Sequence, residues 1–395
     1  MTITSGARPD VEARAEAEPE PRRPGTFALS DLAPLAASAL SAGAFVWLAF
    51  RLLVLDGPLG FVVCWYILFL AIYRLVVRQT QGPLAAADRV AGVLVVSGAV
   101  VAVVPLVFIV YLVLVRGLPT LLGGFPHFFT RTQATFGPLD PATAGGAKHS
   151  IVGTLEQVGL ATLISVPVAV LTAVYLNEIG GRMAPSLRFI VDAMSGVPSI
   201  VAGLFVFAFW ILRYRNGFSG VAGSMAVTIL MLPTVTRTAE EVLRIVPGGL
   251  REAALALGAP EWRMVLKVVL PTAHSGLVTA SILGVARAVG ETAPMILTAF
   301  GARVWNANPF SGAQDDLPLF VYGLIHSSRQ SQLDQAWTGA LVLVLLVLAL
   351  FVLARIAGSR RPGAGRLRSL VGRPGIRAWF TRRTPGSGGR FTPGP

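Results

Sequence analysis

Arg287 and Glu291 stand four residues apart in GLVTASILGVARAVGETAPMILTAF (276–300), a run that is otherwise uncharged and largely apolar. On a helix that spacing puts both side chains on one face, and an ion pair between them lowers the cost of placing charge in hydrocarbon. A guanidinium also presents forked N–H donors that match an oxyanion such as phosphate or sulfate. Pro294 has no N–H for the Gly290 carbonyl, which predicts a kink beside the pair, and Gly284 and Gly290 leave room around it. These residues fit a gated anion pathway or a purely structural ion pair, and both readings stand at this point.

Other reactive side chains form no constellation. His127, His149, His274 and His326 are scattered, without metal-ligand spacing or a Ser–Asp partner, and Cys64 is the single cysteine. The only lysines, Lys148 in GGAKHS and Lys267 in MVLKVV, lie outside any G-x4-G-K-[ST] phosphate loop. No catalytic residue, bound metal or resident cofactor is expected, and any ATP hydrolysis must come from another subunit.

The elements that carry these residues are membrane helices. Hydrophobic residues make up 54% of the chain and charged residues 13%, about half the charge of a soluble protein. Runs long enough to cross a bilayer fall at about 33–55, 58–77, 90–115, 151–176, 189–212, 218–236, 272–300 and 336–357. The expectation is an all-α polytopic membrane protein with eight spans, the first two forming a hairpin. Residues 1–31 read as a polar disordered tail without a signal-peptide core, and 358–395 as a basic disordered tail. The boundaries expected between them are a hairpin at 32–89, a first core span and external loop at 90–147, and the main body at 148–357. Ten of the 33 basic residues lie beyond residue 354 with no acid among them, so the net charge of +13 points to anionic lipid headgroups, not nucleic acid. With both termini inside, 24 basic residues fall in internal segments and 7 in external ones, which places the loop near residue 250 in the cytoplasm.

In that loop Pro247 suits a first helical turn, and Leu250, Ala253, Ala254 and Leu257 fall at i, i+3, i+4 and i+7, predicting one apolar stripe. Gly258 can end the helix in the left-handed conformation, and Pro260 and Glu261 can begin the next. Residues 252–271, EAALALGAPEWRMVLKVVLP, fit EAA-x3-G-x9-I-x-L-P everywhere except Val268, and so resemble the cytoplasmic loop of ABC importer permeases.

ARAVGETAPMILTAF, MLPTVTRTAEEVLRIVPGGLREAALALGA and SGVPSIVAGLF resemble segments of the phosphate-specific ABC permeases of the PstA type, with similarity over about 90–357. That resemblance implies a type I ABC importer permease core of about six spans, to which this chain adds two N-terminal helices. It implies a phosphate pathway through Arg287, Glu291 and Arg237, and ATPase coupling through Glu252, Ala253, Ala254, Leu257 and Gly258. The partners implied are a PstC-like permease in a heterodimer, a PstB-like ATPase dimer using ATP and Mg, and a PstS-like phosphate-binding protein outside a bacterial cytoplasmic membrane. ETAP at 291–294 favours PstA over its paralogue PstC. A different oxyanion permease, a secondary transporter and a membrane scaffold are the alternatives.

Overall fold

A computed structural model of the chain describes residues 29–53, 56–137 and 139–359. The chain divides into two compact units, Met1–Phe108 and Ile109–Pro395, with α3 (Pro83–Gly123) contributing to both. The expected tails lie outside the described residues, except that α1 takes in residues 29–31 and the last helix takes in 358 and 359.

In the first unit α1 (Leu29–Leu52) and α2 (Pro58–Gln81) form the expected pair. Aromatic residues four apart on α2, Trp65, Phe69 and Tyr73, stack along one face. The Trp65 indole donates to the Ala39 carbonyl at 2.9 Å, so its one polar atom is satisfied inside an apolar contact. Ala42, Phe69, Tyr73, Val77 and Ala86 make up the buried cluster of this unit.

The second unit is organised around α8 (Gly220–Ile245), whose most apolar stretch is 61% enclosed, against 33% or less for the other long helices. Packed around it are α5 (Lys148–Val174, continued as a π-helical turn to Ile179), α6 (Ala184–Ser195) and α7 (Ser199–Val206, continued as π turns to Arg213). The short α4 (His127–Thr130) precedes α5. After α8 come α9 (Gly248–Ala256) and α10 (Glu261–Met264), a π turn at Val265–Val269, and α11 (Leu270–Val289). Then follow α12 (Ala293–Thr298), α13 (Leu317–Ile325) and α14 (Gln330–Ser359).

Among the described residues seven helices are long and apolar enough to cross a membrane, and a bent pair counted as one span makes eight. That pair corrects the expectation of one continuous span at 189–212. Residues 184–195 and 199–213 meet at 104°, broken at Gly196-Val197-Pro198, where Pro198 is extended and can begin only a new helix. The span expected at 272–300 is corrected as well. It runs Glu261–Val289, begins inside the signature stretch, and ends five residues before Pro294. Pro294 sits in the first turn of α12, so the chain breaks where a kink was expected.

These breaks are held by glycine contacts. A Cβ on Gly203 would lie 2.6 Å from Pro294 Cα, which locks α7 against α12, and a Cβ on Gly284 would lie 2.4 Å from a Val235 methyl. Gly284 therefore serves close approach of α11 to α8, as small residues do between membrane helices. Gly203→Val should destabilise the fold by about 1–3 kcal/mol, as overpacking does. Thermal unfolding in detergent checks this, with Gly98→Ala, whose added Cβ meets nothing within 4 Å, as the unaffected control.

Candidate anion pathway and docking helix

Arg287 lies in the last turn of α11, where the carbonyl end of the helix favours a cation. Its Nε is 3.6 Å from Glu291 Oε1, and another guanidinium N–H donates to Thr234 Oγ1 of α8 at 3.2 Å. The Arg287 side chain is half exposed, whereas Glu291 is mostly covered, so the pair presents its cation outward. Arg237 lies three residues beyond Thr234 on α8, roughly one turn away. It is also half exposed and is hydrogen-bonded to Asp192 of α6.

Arg287, Glu291 and Arg237 are thus linked through one face of α8. Two guanidiniums, each with a carboxylate neighbour and donors to spare among their five N–H groups, can exchange a counter-ion for an incoming oxyanion. The pairing was not legible from spacing. Glu240, three residues from Arg237, is buried and accepts from Arg188 and Arg244, each at 2.7 Å, while Asp192, which spacing would pair with Arg188, takes Arg237.

Residues 165–360 match the model of the binding-protein-dependent transport system inner membrane component family. Over 268 residues the chain is 40% identical to the phosphate transport system permease protein PstA 1 of Mycobacterium tuberculosis (strain CDC 1551 / Oshkosh), covering 66% of this chain and 86% of that protein. The chain belongs to the PstA family. Another PstA, from Mycobacterium leprae (strain TN), is 38% identical over 248 residues, which is 62% of this chain and 80% of that protein. Among solved structures, an inward-facing MetNI methionine ABC transporter chain matches with a TM-score of 0.41 and 23% identity, covering 54% of this chain and 90% of that one.

In this PstA-family chain the EAA residues lie on α9. Its end is a Schellman turn: Gly258, at φ 77°, donates to the Leu255 carbonyl at 2.9 Å, and Ala259 donates to the Ala254 carbonyl at 3.2 Å. The expected single apolar stripe is divided between two faces. Ala254 packs inward on the cluster of Ala173, Ala239, Leu243, Val246, Met264 and Val265, whereas Glu252, Ala253, Leu257 and Gly258 are exposed, Leu257 at 89%. An apolar face of this kind in the open is what a docking helix requires.

Two groups of residues had no place in the sequence reading. One is Arg251, whose partner Glu178 lies 73 positions earlier. The other is a buried polar cluster between α5 and the start of α13. Ser150 Oγ donates to Asp315 Oδ2 at 2.6 Å, His149 Nε2 lies 3.4 Å from that same oxygen, and the Leu317 N–H donates to Thr154 Oγ1 at 2.8 Å. His149 therefore does have Ser and Asp neighbours, but both address one carboxylate and no Ser–His relay results. The adjacent acids in QDDLPLF (314–320) were the available signal.

Asp316 caps α13 by accepting the Leu319 N–H at 2.8 Å, and its other carboxylate oxygen is buried without a hydrogen-bond partner. Burial, then the Asp315 charge, push the Asp316 carboxyl well above the ordinary carboxylate range, and the Leu319 bond offsets part of the shift. A carboxyl raised on folding contributes stability that is complete below the ordinary pKa, about 3.9, and is lost as pH rises through the folded value. Asp316→Asn keeps the cap without the charge. It should raise the melting temperature at about pH 7–8 and leave it unchanged near pH 4; melting across that range checks it.

Proposed function

We propose that this chain is the PstA-type permease subunit of an ATP-driven inorganic phosphate importer and forms half of the translocation pathway. The observation that carries the reading is Arg287, set by its tie to Thr234 and its pair with Glu291 at the broken end of a span, within the stretch that matches the family model. Phosphate bears two or more oxygens for a forked donor, and a half-exposed guanidinium with a displaceable carboxylate offers such donors without a full desolvation cost.

The chain hydrolyses nothing itself. A separate ATPase powers it, and a substrate-binding protein supplies the anion. We assign these roles to a PstB-like ATPase dimer and a PstS-like protein, with a PstC-like permease completing the pathway in a bacterial cytoplasmic membrane, both termini inside. On this reading α9 lies in the cytoplasm and lays Leu250, Ala253 and Leu257 against the ATPase. Beyond Gly258 the chain continues from Glu261 to Val289 as one helical span, which links the docking helix to Arg287. Alternating access then follows from ATPase closure, because a ligand-driven change needs an element that both sites bias.

Arg287→Gln keeps much of the length and loses the charge. Removing a charged hydrogen bond costs about 1.5–3 kcal/mol, so uptake by the reconstituted importer should fall by at least about 10-fold while the permease pair still assembles. Phosphate uptake retained at the wild-type rate would contradict the pathway role.

A further inference from the structure

Arg251 precedes the EAA residues, yet its side chain is turned inward. Its Nε donates to Glu178 Oε2 at 2.9 Å and its Nη2 to Glu178 Oε1 at 2.7 Å, a forked pair with a carboxylate that is 3% exposed. The Asn177 amide donates to the same carboxylate at 2.6 Å. The guanidinium also donates to the Val246 carbonyl at 2.6 Å and the Leu243 carbonyl at 2.9 Å. These two carbonyls belong to the end of α8, where the helix leaves its acceptors without intrahelical donors. Glu178 lies in the π turn that ends the α5 span. One side chain of the docking helix therefore closes hydrogen bonds with the ends of two other spans. The Glu178 bond, partly opposed by desolvation, raises the Arg251 pKa, which keeps the cation charged.

Chain continuity and apolar packing join α9 to the span that ends in α11. Ala254 rests on the apolar cluster beneath it, but packed apolar surfaces can slide, whereas a forked ion pair fixes both distance and orientation. We propose that Arg251 is a positioning residue that clamps α9 to α5 and α8, so that displacement of the docking helix moves three spans together. The clamp reaches Thr234 and Arg237, since both are carried by α8. The proposal rests on the reading of α9 as the ATPase docking helix.

The test uses the complete importer in proteoliposomes, with phosphate uptake and ATP hydrolysis measured on the same sample. Breaking a buried pair leaves an orphaned charge, so Arg251→Ala is accompanied by the double variant Glu178→Gln/Arg251→Met, which removes both charges. The ATPase should co-purify with both variants and hydrolyse ATP, while uptake per ATP falls about ten-fold, within the range of changes along coupling elements. Wild-type uptake per ATP in the double variant overturns the clamp. Loss of the ATPase from both variants also overturns it, because Arg251 would then only shape the docking face. Leu257→Asp tests the underlying reading separately: an ATPase that stays bound and coupled there refutes docking through α9, whatever Arg251 does.

Discussion

Arginine in an apolar setting must find a carboxylate, and the architecture around α8 follows from meeting that requirement. Arg237 takes Asp192 of α6, Arg188 of α6 takes Glu240 of α8, Arg251 of α9 takes Glu178 at the end of α5, and Arg287 pairs with Glu291 beyond the end of α11. Three of these pairs cross between elements, so satisfying charge also decides which helix ends meet. Unpaired, the buried carboxylates Glu178 and Glu240 would each cost several kcal/mol. The more buried carboxylates of these pairs, Glu178 and Glu240, are structural in this sense, whereas the half-exposed Arg237 and Arg287 keep further N–H donors.

Glycine sets how closely the helices approach one another. Gly203 admits Pro294, Gly284 admits Val235, and Gly153 lets the Asp315 backbone approach α5, where a Cβ would lie 1.9 Å from the Asp315 carbonyl oxygen. These contacts bring irregular backbone at 196–198 and 290–292 against neighbouring helices. Irregular backbone at membrane depth is tolerated only when it is buried in protein or lines a polar path.

Much of this was legible where the cause is local. The end of α9 at Gly258, the start of α10 at Pro260 and the apolar runs are set by residues within a few positions of each other, and they lie close to where the sequence places them. Two kinds of feature were not legible. Pro198 and Pro294 each permit a kink or a break, and the choice is made by the packing of Gly203 on Pro294, two segments ninety residues apart. Charge partners are not legible for the same reason. Glu240 faces the buried stripe of Thr236, Ala239 and Leu243, off the side on which Arg237 lies, so sequence proximity did not make a pair.

The account depends on motion at the docking helix reaching the end of α11 that carries Arg287. The 29 residues of Glu261–Val289 form a rod of about 43 Å, interrupted only by the π turn at Val265–Val269. The most direct measurement is the distance between spin labels at the exposed Leu283 of α11 and Ile200 of α7, read by pulsed electron resonance in the complete importer with and without vanadate-trapped nucleotide. A shift in that distance when the ATPase dimer closes is the predicted result. An unchanged distance while the ATPases are trapped closed would contradict the account.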